Sequence, residues 1–174
     1  GKIKIANSGT GSATHLASLA MVNAIGCEVI HLPVGVKRRN ATVLSGEADA
    51  MNAPLTATLN LARAGKLRML AVPSAQRNPV VPDVPTAKEQ GFDAVQDIFR
   101  GLSVPKGTPE AIKVKLSEAM VQAAHSKPFL ELASKKGFTV ETLTLGDFDA
   151  MLERENAKVV SVMQKAGLYQ SKSK

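Results

Sequence analysis

The stretch IANSGTGSATHL, Ile5 to Leu16, runs from strand-like residues through two glycines and several small hydroxylic side chains into a helical pattern. Its reading decides the fold, because a strand that passes through glycines into a helix start is the opening of a parallel crossover unit. Amides in the first turn of a helix lack intrahelical acceptors, and the aligned peptide dipoles place partial positive charge there. An anion fits such a turn. Gly9 and Gly11 permit unusual backbone angles and close ligand approach, while Ser8, Thr10, Ser12 and Thr14 offer hydroxyls. A tight, well-capped turn would use the same residues, so the motif alone leaves both readings open. No Gly-Lys-Ser/Thr follows, and the third glycine of a dinucleotide fingerprint is missing, so neither of those phosphate sites is expected.

Outward from this turn, short apolar runs alternate with helical patterns. KIKIA before it reads as a strand, and the helix after it carries Leu16, Leu19, Ala20 and Asn23 on one face before Gly26 stops it. CEVIHL is the next strand, with Cys27 expected inside it and buried. A short helix at Asn40 to Ser45 closes at Gly46, ADAMNA reads as a strand, and Pro54 opens a helix that ends at Ala64 and Gly65. LRMLAV is a fourth strand. This alternation predicts an α/β fold with a mainly parallel sheet flanked by helices. The carboxyl ends of the four strands, Asn7 to Ser12, Pro33 to Lys37, Asn52 to Pro54 and Val72 to Ala75, then line one rim, where α/β proteins bind ligands.

The remainder changes character. Four prolines break residues 73–91, and only Thr86 with Glu89 has the form of a capping box before Gly91. Beyond a candidate boundary at residues 95–101, FRGLSVP reads as a strand, and Thr108 and Pro109 as the cap and first residue of a helix. A helix from Lys127 to Lys136, a strand FTVETL, and a helix from Thr144 to Ala166 complete the chain, with a polar tail YQSKSK read as frayed.

With 44% apolar residues in 174, the chain has enough for a core, but nowhere the roughly 18 consecutive apolar residues of a membrane span. GKIKIANSG lacks the apolar region of an export signal. The formal charge of +7 raises nucleic acid as a partner, yet five Phe, one Tyr and no Trp give few stacking surfaces, and the basic residues are scattered apart from Lys37, Arg38 and Arg39. A field that concentrates small anions is the better use of that charge. The three histidines have no metal-ligand spacing, no metal or cofactor is expected, and the single cysteine forms no internal disulfide. His15, close to the helix start, could donate to a bound anion, and Asn52 ends an apolar strand where an amide can orient a ligand. Lys37, Arg38 and Arg39 read first as a solvated loop. An enzyme using Ser12 and His15 has no nucleophile elbow and no identifiable carboxylate partner.

The ordered series GTGSATHL, HLPVG, LSGEADAM, ARAGKLRMLAV, QRNPVVPDVPTAKEQGF, GLSVPKGTPEAIKVKL and KAGL resembles the periplasmic solute receptors of tripartite tricarboxylate transporters, the Bug family. The resemblance implies a two-lobed periplasmic-binding-protein-like fold that closes on a small carboxylate and delivers it to the membrane subunits of a transporter, in the periplasm of a bacterium. It implies that residues 1–98 form the second, ligand-closing lobe, that residues 99–174 are the returning part of the first, and that the amino-terminal part of the first lobe is not in this chain. By position, Ser8, Gly9, Thr10, Gly11, Ser12 and His15 match the second-lobe ligand loop, with Asn52 and Ala53 at another cleft-facing strand end. After His31 the chain departs from the family, with PVGVKRR, one residue short, where the family has proline, an aromatic, a basic residue and glycine, and it is open whether Lys37 or Arg38 substitutes for the lost contact. Two alternatives accompany this reading: an anion-binding α/β enzyme using Ser12 and His15, and a non-binding structural fragment. An incomplete lobe would expose apolar surface near Ile112 to Met120 and Val159 to Met163, to be covered by self-association or a complementary chain.

Overall fold

The computed structural model describes residues 1–169. Strand β1 (Ile3–Asn7) leads to helix α1 (Ala13–Ile25), strand β2 (Val29–Pro33), helix α2 (Arg39–Leu44), the short strand β3 (Ala50–Met51) and helix α3 (Leu55–Arg63). After a single 3-10 turn at Lys88–Gln90 come helices α4 (Glu110–Ala124), α5 (Lys127–Lys136) and α6 (Leu145–Lys165). The sheet has the order β2-β1-β3. Both pairings are parallel, with Asn7 opposite Pro33 and Ala6 opposite Met51, so all three carboxyl ends emerge at one edge.

That order creates a switch point. From β1 the chain crosses over α1 to β2 on one side, then over α2 to β3 on the other, and the loops after β1 and β3 part company above the sheet. Open α/β sheets bind ligands in the crevice such a reversal leaves. Helix α1 packs on β1 and β2, and α2 on β1 and β3. The buried apolar residues here are Ala6, Leu16, Ala17, Val22 and Ala48, mostly small, so backbones approach closely.

Local signals set the helix ends. Ser12 caps α1, its Oγ accepting the His15 amide at 3.3 Å, and Gly26 ends the helix with φ 74°. Gly137 ends α5 with φ 81°, and a Cβ there would lie 3.0 Å from Leu55 Cδ2 on α3, so both the turn and the packing of α5 on α3 require glycine. The capping box forms as read: the Glu89 amide donates to Thr86 Oγ1 at 3.0 Å and the Thr86 amide to Glu89 Oε2 at 2.7 Å. Arg77 holds the same carboxylate at 2.9 Å, and its hydrogen bond is the largest influence keeping Glu89 below the usual glutamate range.

Several expectations are corrected. ADAMNA contributes only Ala50–Met51 to the sheet. LRMLAV is no strand; only Val72 makes an isolated parallel bridge, to Thr86. FRGLSVP and FTVETL carry no strand either, and Phe99, Leu102 and Leu143 are exposed. Cys27 precedes β2 and is exposed, while Asn23 lies on the solvent side of α1. Pro54 and Pro109 are the caps of α3 and α4 rather than their first residues, and Thr108 Oγ1 instead donates to the Pro105 carbonyl at 2.8 Å. The polar tail beyond Tyr169 lies outside the described residues.

Candidate functional site

The loop Ser8 to Ser12 sits at the carboxyl end of the central strand, flanked by the loops that follow β2 and β3. Gly9 has φ 144° and Gly11 φ 74°, and neither would crowd a neighbour with a Cβ, so backbone conformation and not space selects glycine. Much of the loop's donor capacity is spent on its own shape. The Ser8 amide donates to Thr14 Oγ1 at 2.9 Å and the Gly9 amide to Asn7 Oδ1 at 3.0 Å. The Gly11 amide donates to His15 Nδ1 at 3.0 Å, and the Ser12 amide to the Gly9 carbonyl at 3.1 Å. Gly11 and Ser12 therefore present no free amide, contrary to the simplest reading of a helix-start cradle. Among the described residues, the amides of Thr10, Ala13 and Thr14 have no protein acceptor.

His15 anchors the loop. It is buried, and because Nδ1 accepts from Gly11, the ring carries its proton on Nε2 and is neutral. Burial and then the neighbouring His31 lower its pKa below the ordinary histidine value; burial alone does so for His31. The two rings meet edge to face with centroids 4.7 Å apart. Ser12 and His15 do not form a nucleophile and base pair: Ser12 Oγ is engaged by the His15 main-chain amide and by Thr14 Oγ1, and His15 Nδ1 is engaged by Gly11.

The basic triplet divides by position. Lys37 is exposed, and Arg38 faces Glu47 at 3.7 Å in a solvent-exposed pair. Arg39, read from the sequence as part of a solvated loop, is 2% exposed and reaches under the glycine turn, its Nη1 donating to Ser8 Oγ at 2.5 Å. Its Nε is buried without an acceptor, as is Asn7 Nδ2, and no carboxylate pairs with it among the described residues. Burial lowers the guanidinium pKa from a value so high that the group stays charged. Nothing in the sequence distinguished Arg39 from its two neighbours except its register as the first residue of α2, which packs against β1 and β3. Asn52 and Ala53 are half-buried beyond β3; the Asn52 amide donates to the Ala6 carbonyl at 3.3 Å, and its carboxamide makes no protein hydrogen bond among the described residues.

Two cavities lie elsewhere: one of about 70 Å³ between α3 and α5, lined by Thr56, Leu59, Asn60, Lys135 and Lys136, and one of about 410 Å³ between α4 and the start of α6. Neither holds a cluster of buried polar groups like that around Ser8.

An open parallel sheet whose switch point carries a glycine loop, with spare amides and a buried cation beside it, places the chain among α/β proteins of the periplasmic-binding-protein kind. The profile of the tripartite tricarboxylate transporter family receptors matches residues 1–168, and the chain belongs to that family. The family is one of solute-binding receptors, not enzymes. Protein BugT of Bordetella pertussis is 29% identical over 171 residues, covering 96% of this chain and 52% of its own. A TctC solute-binding protein from Polaromonas has 28% identity and a TM-score of 0.79, covering 95% of this chain and 58% of its own. A structure described as a periplasmic transporter has 26% identity and a TM-score of 0.84, covering 97% of this chain and 57% of its own. The chain thus spans about half the length of the curated relatives it matches.

Proposed function

We propose that this chain forms one ligand-closing lobe, residues 1–98, and part of a second, residues 99–174, of a periplasmic receptor that binds a small carboxylate and hands it to the membrane subunits of a tripartite transporter. The observation that carries the reading is the loop Ser8 to Ser12 at the switch point of the sheet, with a buried Arg39 behind it that has no carboxylate partner among the described residues. Thr10, Ala13 and Thr14 supply free amides, Ser8 and Thr10 supply hydroxyls, and Asn52 with Ala53 forms the opposite lip of the crevice. Gly9, Gly11, Ser12 and His15 shape the loop. Lys37 and Arg38 lie outside this cluster and contribute long-range positive potential. Charge-assisted hydrogen bonds of about 1.5–3 kcal/mol each provide the affinity. Family membership and the solute-binding and periplasmic neighbours support this assignment.

Calorimetric titration with citrate, L-malate and succinate tests it. Gly11→Pro removes the amide held by His15 and forbids a φ of 74°, so saturable heat seen with the native chain disappears in the variant. Equal affinity of native and variant proteins rules the loop out as the ligand site.

A further inference from the structure

The hydrogen-bond inventory around Ser8 contains an asymmetry. An arginine has only donors, so Ser8 Oγ must accept from Arg39 Nη1. The same oxygen accepts from Thr14 Oγ1 at 3.1 Å, and Thr14 Oγ1 itself takes the Ser8 amide at 2.9 Å and neighbours Ser12 Oγ at 3.2 Å. Both lone pairs of Ser8 Oγ are filled by protein donors. Its own hydrogen has no acceptor among the described residues, and Ser8 is half-buried at the rim.

Behind this hydroxyl lies a buried positive charge. An arginine 2% exposed, with Nε unsatisfied and no carboxylate beside it among the described residues, is destabilising in isolation. Asn7, on the other side of Ser8 in the chain, is fully buried and also leaves a donor, Nδ2, without a partner. Thus two buried donors and one directed hydroxyl surround Ser8, and acceptors are lacking. What the cluster lacks is negative charge.

From this geometry we infer that Arg39 is the charge-selecting residue of the site: it does not touch the solute but polarises Ser8 Oγ–H, which donates to a ligand carboxylate, so that the site takes anions and rejects neutral isosteres. This rests on the receptor reading above and deepens it by naming what distinguishes an acid from its amide. Arg39 is accordingly a positioning residue, and Ser8 the contact.

The test is calorimetry with succinate and its neutral diamide, succinamide, together with amide NMR spectra that locate binding. In the native protein, succinate binds at the Ser8 to Thr14 loop at least about tenfold tighter than succinamide. Arg39→Met and Ser8→Ala each abolish that preference, the double variant loses no more than either single, and Arg39→Lys retains part of it. Arg39→Met also melts at the same temperature as the native protein or higher, because it removes a buried charge without a counter-ion; a purely structural arginine would instead lower the melting temperature. If Arg39→Met does not fold, Ser8→Ala and Arg39→Lys decide. Loop binding with the acid-over-amide ratio unchanged in these variants overturns the role of Arg39 while leaving the receptor reading in place. Absence of any loop response to succinate in the native protein overturns both.

Discussion

At Gly11 the main chain holds φ at 74° so that its amide can reach His15 Nδ1, one turn into α1. A Cβ at this position meets no neighbour, so Gly11→Ala isolates the backbone cost and should lower stability by about 1–2 kcal/mol in urea denaturation. The histidines give the site a pH dependence with a definite sign. Both have folded-state pKa values below the ordinary 6.5, so as pH falls through that value the unfolded chain binds protons first. Their contribution to stability is complete above about pH 6.5 and is lost as pH drops through the lower folded-state values. His15→Asn, which keeps an acceptor near Nδ1, should flatten the acid limb of a melting-temperature profile; an unchanged acid limb would remove His15 as its cause. Ser8, Gly9, Thr10, Gly11 and Ser12 were legible because glycines and small hydroxylic residues before a helix have few other uses together. Arg39 was not: whether an arginine in KRR points to water or under a loop depends on how α2 docks on the sheet, which is a tertiary fact.

Elements followed the same division between local and non-local information. The six helices of the described residues could be read to within a residue or two of their ends, since caps and glycine stops act over a single turn. Of the strands expected beyond β2, only ADAMNA formed one, shortened to Ala50–Met51. LRMLAV, FRGLSVP and FTVETL have β-forming composition, but a strand exists only by pairing, and these segments run beside no partner strand among the described residues. Gly137 shows how an element boundary acquires a tertiary role. It shares a left-handed conformation with Gly26, yet only at Gly137 would a Cβ approach Leu55 and Leu59 of α3, at 3.0–3.1 Å. Gly137→Ala should therefore cost about 1 kcal/mol more than Gly26→Ala in the same denaturation experiment. Equal losses would show that the interface of α5 with α3 yields without penalty.

The whole molecule exposes 11,639 Å², against about 8,100 Å² expected for a compact monomer of this mass. Large apolar side chains contribute to it. Helices α4 and α6 bury no residue fully, and Ile112, Val114, Met120, Leu152, Phe99 and Leu102 stand open. Surfaces of this kind mark association sites. Sedimentation of the isolated chain should show self-association that increases with concentration, accompanied by binding of an apolar dye; a monodisperse monomer that binds no dye would contradict it. The proposed ligand rim, by contrast, carries the polar residues Ser8, Thr10, Ser12 and Asn52, as the two-sided crevice of the proposal requires. The central claim, that unfilled donors around Ser8 to Thr14 receive a carboxylate, is tested most directly by titrating citrate into nitrogen-15-labelled protein. Saturable shifts concentrated at the Ser8, Thr10, Ala13 and Thr14 amides are expected; shifts absent there, or centred on the groove between α4 and α6, would contradict that claim.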